Sequence, residues 1–203
     1  KEMDVRVYRD NKIYYMDFER GHIKTEMKLL DEPMRLKRGT IVHFAPDPDI
    51  FRETIVFDYR TLASRIRELA FLNKGLRLSI TDKRVDPVKN ESFMYEGGIA
   101  EYVKFLNKNK QPLFPEPVYV EGEENGIQVE VALQYTDAVA EILMSFANNI
   151  HTHEGGTHET GFKMALTRII NDYAKKKGIL KDSDDPLSGE DVREGITAIV
   201  SIK

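Results

Sequence analysis

The sequence predicts an α+β protein with two lobes, and three observations support this prediction. Apolar and polar residues alternate with the period of a strand in segments near the beginning, the middle and the end of the chain. A helical period replaces this alternation over residues 57–73 and again from residue 158 onward. The pair Gly97-Gly98 lies between the two sets of elements. We therefore place the boundary between the lobes there.

The first lobe begins with a predicted hairpin. Its two period-two segments read MDVRVYRD and NKIYYMDFERG, and the residues between them, Asp10 and Asn11, suit a tight turn. RGTIVHFAPD predicts a third strand, which two prolines end because proline does not continue a strand ladder. The helix over residues 57–73 follows, with Gly75 as its stop signal. LRLSITDKR predicts a further strand, and VDPVKNES predicts a polar loop.

The second lobe opens with a predicted helix over residues 99–107. GIQVEVALQY is the clearest period-two strand in the chain, and EILMSFANNI predicts a second, mostly apolar one. GITAIVSIK predicts the closing strand. Between EILMSFANNI and GITAIVSIK, a predicted helix that starts at His158 carries an apolar stripe that would pack on a core. The stripe consists of Phe162, Ala165, Leu166, Ile169, Ile170 and Tyr173.

Composition and charge exclude several classes of protein. The 203 residues include no cysteine, which excludes disulfides and thiolate metal sites. The formal net charge is −4, and residues 1–97 carry 19 basic and 17 acidic side chains against 11 and 17 in residues 98–203. Any contact with nucleic acid must therefore come from local patches. No apolar run is long enough to span a bilayer and no signal-peptide pattern opens the chain, so we expect a cytoplasmic protein without membrane contact.

The stretch NNIHTHEGGTHETGF contains three histidines, His151, His153 and His158. A zinc-protease helix needs two histidines four residues apart, whereas His153 and His158 are one residue too far apart. A three-histidine metal site is thus one alternative, and anion binding by the free N–H groups of a helix start is another. The structural interpretation is a strand, a glycine turn and a helix capped by Thr157. We favour this last interpretation and expect no metal.

The chain shows none of the common catalytic signatures. The nucleophile elbow GxSxG, the P-loop and the Rossmann glycine pattern are absent. The residues by themselves therefore predict a two-lobed α+β protein without assigning a reaction to it.

Longer segments carry a resemblance to a known family. RELAFLNKGLRLSITDKR, FMYEGGIAEYVKFLNKNKQPL, GGTHETGFKMALTR and DVREGITAIVS resemble the ATPase subunits of type IIA DNA topoisomerases, in order and over essentially the whole chain. RELAFLNKG and IHTHEGGTH resemble the B subunits of bacterial DNA gyrase more than the corresponding subunits of topoisomerase IV. The B subunit of topoisomerase IV is the alternative within the same family.

This resemblance implies an architecture. Residues 1–97 would form the C-terminal half of an ATP-binding domain of the Bergerat type, which Hsp90, MutL and histidine kinases share. Residues 98–203 would form a transducer domain with a left-handed βαβ crossover, ending before the loop that contains the sequence Gln-Thr-Lys. Both ends of the sequence lie inside strand patterns. We therefore expect a fragment of a longer polypeptide.

The resemblance also implies an activity. The full-length enzyme would couple binding and hydrolysis of ATP, with Mg²⁺, to DNA strand passage and negative supercoiling. Its partners would be double-stranded DNA, a gyrase A subunit that supplies the cleavage tyrosine, and a second B subunit. The general base, the magnesium-binding asparagine, the glycine-rich lid and the transducer lysine of the family match no position in this sequence. We therefore expect no catalytic residue in this chain and no ATP turnover by the chain alone.

Three residues match functional positions of the family. Thr40, in RGTIVHF, corresponds to a threonine of the adenine pocket, and Arg9, in VYRD, to an arginine at the pocket mouth, where coumarin inhibitors bind. Lys163, in TGFKMAL, corresponds to a basic residue that faces the DNA cavity. Purely structural roles are the alternatives: a β-branched strand residue for Thr40, and surface charges for the two cations.

Two other classes of function compete with this interpretation. The first is a stand-alone nucleic-acid-binding or interaction module without ATP chemistry. The second is a metalloprotein built on His151, His153 and His158. The strand patterns at both ends argue against the module, and the spacing of the histidines argues against the metalloprotein.

Overall fold

The computed structural model describes residues 1–181 and 183–203, which form eleven strands and four helices. These elements divide into two compact units, residues 1–58 and residues 59–203. The mixture of helices with largely antiparallel sheets confirms the predicted α+β class. None of the helices within the described ranges is both long and apolar enough to cross a membrane.

The first unit is a four-stranded antiparallel sheet with the order β3-β2-β1-β4. Asp10 and Asn11 both have positive φ, 51° and 55°, as a two-residue hairpin turn requires, so the predicted hairpin is confirmed. The edge strand β3 (His22–Leu30) was not predicted, because its charged residues interrupt the alternation. The strands are β1 (Glu2–Arg9), β2 (Lys12–Glu19), β3 (His22–Leu30) and β4 (Gly39–Ala45).

The core of the first unit is small. Tyr8 and Ile13 face each other across β1 and β2 and are almost fully buried. The opposite face of the same sheet is apolar but largely open, with Val42 and Phe44 each more than half exposed. Phe57 covers only the edge of Phe44, with ring centroids 6.0 Å apart. One face of this sheet is therefore a broad apolar surface within the unit.

The second unit contains a five-stranded sheet with the order β10-β9-β11-β8-β7 and a separate β5-β6 hairpin. Its strands are β5 (Leu78–Asp82), β6 (Lys89–Phe93), β7 (Val118–Glu124), β8 (Ile127–Tyr135), β9 (Ile142–Ala147), β10 (Ile150–His151) and β11 (Ile196–Ile202). Its helices are α1 (Tyr59–Leu72), α2 (Gly98–Leu106), α3 (Thr157–Lys176) and α4 (Gly189–Arg193).

The prediction of a loop over residues 85–92 is wrong in its second half. Residues 89–92 pair with β5 although lysine, asparagine, glutamate and serine have little strand propensity. Neighbouring contacts compensate for this. Arg67 donates to Glu91 at 3.2 Å, and its guanidinium lies 4.8 Å from the ring centroid of Phe93.

Helices cover both faces of the five-stranded sheet. On one face, Ala132, Phe146 and Ile199 form a core with residues of α1 and α2. On the other face, the Tyr135 hydroxyl donates to the Val192 carbonyl of α4 at 2.6 Å. The strand β11 is buried along almost its whole length, which explains its continuous apolar run. It pairs in parallel with β9, and the connection between them contains α3 and α4.

The exposed face of α3 differs from the prediction. Ile169 and Tyr173, which belong to the predicted stripe, are 59% and 58% exposed. The side toward the protein instead includes polar residues, because these make hydrogen bonds there: Asn171 donates to the Leu187 carbonyl at 3.0 Å and accepts from the Leu187 N–H at 2.8 Å. The other stripe residues, Phe162, Ala165, Leu166 and Ile170, are partly buried. Apolar periodicity therefore predicted the packed side of the helix but extended it too far, to Ile169 and Tyr173.

The first compact unit ends before α1, whereas the sequence places the lobe boundary at Gly97-Gly98. The helix α1 packs on α2 through stacked rings of Phe71 and Tyr102, with centroids 4.6 Å apart. This contact joins α1 to the second unit. The assignment of residues 1–97 and 98–203 to two functional domains stays a prediction.

The connection into β11 depends on a glycine, and this gives the first testable prediction. Gly195 has φ +72°, and a Cβ there would lie 2.6 Å from the Ala138 carbonyl oxygen and 2.7 Å from that of Thr136. Gly126, with φ +81°, has open space around its Cβ position. We expect Gly126→Ala to lower the free energy of unfolding by about 1 kcal/mol and Gly195→Ala by at least about 3 kcal/mol. Urea denaturation measures both, and equal losses would contradict the proposed backbone clash.

Candidate functional site

The two predicted nucleotide-binding residues lie on one face of the first unit's sheet. Thr40 pairs with Val7 across β4 and β1, and directly paired residues share a face. Arg9 is two residues beyond Val7 on the same strand and therefore lies on that face as well. The structure thus brings Thr40 and Arg9 to the same side of the sheet, beside the open apolar surface.

Both side chains are accessible. The Arg9 side chain is 73% exposed, and its only ion pair in the described ranges is with the equally exposed Asp10, at 3.4 Å. Such a surface pair contributes little energy, so the guanidinium is free to turn toward an anionic ligand. Thr40 is exposed and offers a hydroxyl next to the side chains of Val7 and Val42. A hydroxyl, an apolar surface and a cation fit one wall of a nucleotide site.

A Mg²⁺ ion bound to a protein takes oxygen ligands such as carboxylates. Within residues 1–181 and 183–203, no group of three or more histidine, aspartate or glutamate side chains is arranged to hold a metal ion. The residues near Thr40 and Arg9 therefore fit the organic part of a nucleotide but do not supply a carboxylate set for Mg²⁺.

Lys163 lies in α3 and contacts two carboxylates. Its Nζ donates to Glu159 Oε1 at 2.7 Å and lies 3.9 Å from Glu141 Oε1. Arg193 Nε donates to the other oxygen of Glu141 at 3.0 Å. The Lys163 side chain is 34% exposed. A DNA phosphate at this position would have to compete with two neighbouring carboxylates for the ammonium group.

The histidine stretch forms the strand, turn and helix that the sequence predicted, with β10 followed by α3. His158 Nε2 lies 3.1 Å from Thr152 Oγ1, which in turn lies 2.6 Å from Ser145 Oγ. His151 stacks on Phe146, with ring centroids 5.0 Å apart. These contacts connect the turn to β9 and α3, as a structural junction requires.

The predicted cap of α3 is wrong. Thr157 is the first residue of the helix, and the N-cap is Gly156, which has no side chain to accept a hydrogen bond. Glu159, in the first helical turn, is well placed for the positive end of the helix dipole. Its carboxylate accepts from Ser145 Oγ at 2.8 Å and from Lys163.

These contacts explain the ionisation of two groups. The hydrogen bond from Lys163, with further help from Ser145, holds the pKa of Glu159 below its usual value. Burial lowers the pKa of His151, and electrostatic interactions with His153 and Arg65 lower it further. Both effects arise in the same junction.

Sequence reasoning missed the role of Ser145 and Glu159. One signal could have identified Ser145: it is the only polar residue of β9, whose sequence is ILMSFA. A lone hydroxyl in an apolar strand must find a buried partner. The acidic partner, Glu159, could not be chosen from sequence because several carboxylates lie within the same distance along the chain.

Comparisons with known proteins identify relatives. A sequence model described as DNA gyrase B matches residues 98–203. The B subunit of DNA gyrase from Enterococcus faecalis is 56% identical over 201 residues, which is 99% of this chain and 31% of that protein. The B subunit of DNA gyrase from Streptococcus pyogenes is 57% identical over 202 residues, which is 100% of this chain and 31% of that protein. The chain thus spans about a third of the length of these curated relatives.

Solved structures of gyrase B proteins are also similar to this chain. The 43K ATPase domain of Thermus thermophilus gyrase B, in complex with an aminocoumarin, superposes with a TM-score of 0.83 at 36% identity, covering all of this chain and 54% of that chain. The B subunit of DNA gyrase from Myxococcus xanthus gives a TM-score of 0.84 at 31% identity, covering 99% of this chain and 56% of that one. The ATP-binding domain of Francisella tularensis topoisomerase IV shares the fold, with a TM-score of 0.78 at 19% identity.

The Glu159 contacts predict a pH-dependent effect. Because the folded-state pKa of Glu159 is lowered, its contribution to stability is complete above the unfolded value of about 4.3 and is lost as the pH falls through the folded value. We expect Glu159→Gln to lower the free energy of unfolding by about 1 kcal/mol at pH 7 and by progressively less as the pH falls below about 4.

Urea denaturation between pH 7 and about pH 3.5 measures this effect. Glu154→Gln, which changes an exposed carboxylate in the loop before α3, is the matched control and should alter the free energy of unfolding little at any pH. A loss for Glu159→Gln that does not depend on pH would contradict an electrostatic role.

Proposed function

Because this chain belongs to the DNA gyrase B family, we propose that it is part of the ATP-hydrolysing subunit of a type IIA DNA topoisomerase. In the full-length protein, this subunit couples the binding and hydrolysis of ATP to DNA strand passage and negative supercoiling. The observation that carries the proposal is the family match over residues 98–203, together with 56% identity to the gyrase B protein of Enterococcus faecalis.

The proposal assigns different tasks to two parts of the chain. Residues 1–97 belong to the ATP-binding domain, and residues 98–203 form the transducer that passes the nucleotide state to the DNA-cleaving part of the enzyme. Support comes from the start of the family match at residue 98. The helix α1, which belongs to residues 1–97, packs on α2 of the proposed transducer through the Phe71–Tyr102 stack.

Nucleotide binding is proposed for Thr40 and Arg9. Thr40 would line the adenine pocket, where its hydroxyl would hold a water against an adenine-binding aspartate, and Arg9 would lie at the mouth of the same pocket. Their common face and their exposure support this assignment. Coumarin inhibitors would use the same arginine, since the Thermus thermophilus relative binds an aminocoumarin. ATP and Mg²⁺ would act in the full-length enzyme, and the family's magnesium-binding asparagine matches no position in this sequence.

DNA, a gyrase A subunit and a second B subunit are the proposed partners, in the cytoplasm. Lys163 is the proposed DNA-facing residue. Its two carboxylate neighbours would hold the ammonium group in place, and a DNA phosphate would have to compete with them for it. Contact with the phosphate would therefore be electrostatic and salt-sensitive.

A chimaeric protein tests the proposed function. This chain replaces the matching segment of the Enterococcus faecalis gyrase B protein, and ATP-dependent supercoiling is measured with gyrase A. We expect supercoiling by the chimaera and none by the isolated 203-residue chain.

In the chimaera, Thr40→Val should raise the KM for ATP about tenfold because it removes one hydrogen-bonding group, and Thr40→Ser should keep the KM of the unsubstituted chimaera. An inactive but folded chimaera, or equal values for both variants, would contradict the proposal.

The role of Lys163 has its own test in the chimaera. DNA-stimulated ATP hydrolysis is measured with a linear duplex at several salt concentrations. We expect Lys163→Ala to weaken the apparent affinity for DNA and to reduce its salt dependence by about one ion. Lys175→Ala, in the last turn of the same helix, is the matched control. The same reduction in both variants, or none in Lys163→Ala, would exclude a specific contact.

A further inference from the structure

A groove in the second unit contains none of the residues discussed as nucleotide or DNA contacts. It lies between the first half of α1 and the segment around β10, and its volume is about 760 Å³. The residues that matter for its chemistry are Arg60, Ser64, Arg65, Glu68, His151 and His153. Two guanidinium groups, two imidazoles and a hydroxyl thus converge from two segments that are far apart in sequence.

The single carboxylate of the groove is already paired. Glu68 forms an ion pair with Arg65 one turn earlier in α1. Arg60 is exposed and makes no hydrogen bond or ion pair with any of the residues described by the structure. Its guanidinium therefore keeps all of its donors for a ligand. The excess charge of the groove is positive even when both histidines are neutral.

The donors are held in place by contacts behind them. Arg65 Nη2 donates to the Asn149 carbonyl at 2.8 Å, and the Asn149 side chain donates to Asn73 at 3.2 Å. His151 stacks on the buried Phe146. The ring of His153 lies edge-on to that of His151, with centroids 3.9 Å apart. Binding would therefore cost little ordering of Arg65 and His151, whereas the exposed Arg60 side chain would become ordered on the ligand.

The electrostatic environment of His151 agrees with a site for an anion. Its pKa is lowered by burial first and then by electrostatic interactions with His153 and Arg65, and only Glu159 opposes this. Arg60 and Glu68 also face the groove. An anion bound between these groups would offset the positive charges and raise the pKa of His151.

We propose that this groove binds a phosphate group. A guanidinium fork and neighbouring imidazole N–H groups match the oxygens of a phosphate in number and charge. The volume exceeds that of a single phosphate, so the group belongs to a larger ligand. Either a phosphorylated small molecule or a DNA backbone could carry it. The site is independent of the proposed topoisomerase activity, since it shares no residue with Thr40, Arg9 or Lys163.

The experiment uses the 203-residue chain and NMR signals of the histidine rings. Inorganic phosphate and a short DNA duplex with hydroxyl ends are titrated separately at about pH 6.5, near the ordinary pKa of histidine. We expect the signals of His151 and His153 to shift and the pKa of His151 to rise. Arg60→Ala and His153→Ala should each weaken the binding about tenfold, because each removes one charge-assisted donor. Arg77→Ala, an exposed arginine beyond the end of α1, is the matched control and should bind normally.

The outcomes separate the two sources of the phosphate. Saturation by inorganic phosphate assigns the groove to a phosphorylated small molecule, and a response to the duplex alone assigns it to the DNA backbone. Urea denaturation of each variant verifies that the fold is retained. The proposal is overturned if neither probe shifts the two histidines. It is equally overturned if Arg77→Ala weakens binding as much as Arg60→Ala does.

Discussion

The burial of both faces of β11 is the constraint on which the second unit depends. In β11 the buried Ser201 Oγ has no hydrogen-bond partner among the described residues. A buried polar side chain of such a central strand gains stability from an internal hydrogen bond. Thr197 does so by donating to Asn107 Oδ1 at 2.7 Å, and the Asn107 side chain donates to Gln134 at 3.0 Å. This buried chain of hydrogen bonds joins the end of α2 to two neighbouring strands. The position of α2, and through it that of α1, follows from the same strand.

The parallel pairing of β9 with β11 has a second consequence. Parallel neighbours need a crossover connection, and here the crossover contains α3 with Lys163. The helix is attached to the sheet by Ser145 and Glu159 rather than by a side-chain cap at its first residue. A basic residue of proposed DNA contact is thus held by the same carboxylate that fastens its helix. The structural attachment of α3 and the proposed DNA contact share one ion pair.

The first unit follows a different principle. Its core is confined to one face of the sheet, around Tyr8 and Ile13, and the other face stays open. Thr40 and Arg9 lie on that open face. A surface that is apolar, accessible and flanked by a hydroxyl and a cation suits a purine ligand better than a closed core would.

The sequence by itself determined the α+β class, the first hairpin, the helix α1 and the family. Turn residues with positive φ and periodic apolar residues act locally, and long motifs such as GGTHETGFKMALTR identify relatives without any structure. Only the tertiary structure decided the pairing of β3 with β2 and of β6 with β5. It also decided the buried face of α3 and the contacts of Lys163 with Glu141 and Glu159. It also brought Arg60 and Arg65 beside His151 and His153. Such contacts join residues far apart along the chain, and their formation depends on chain packing that no local pattern encodes.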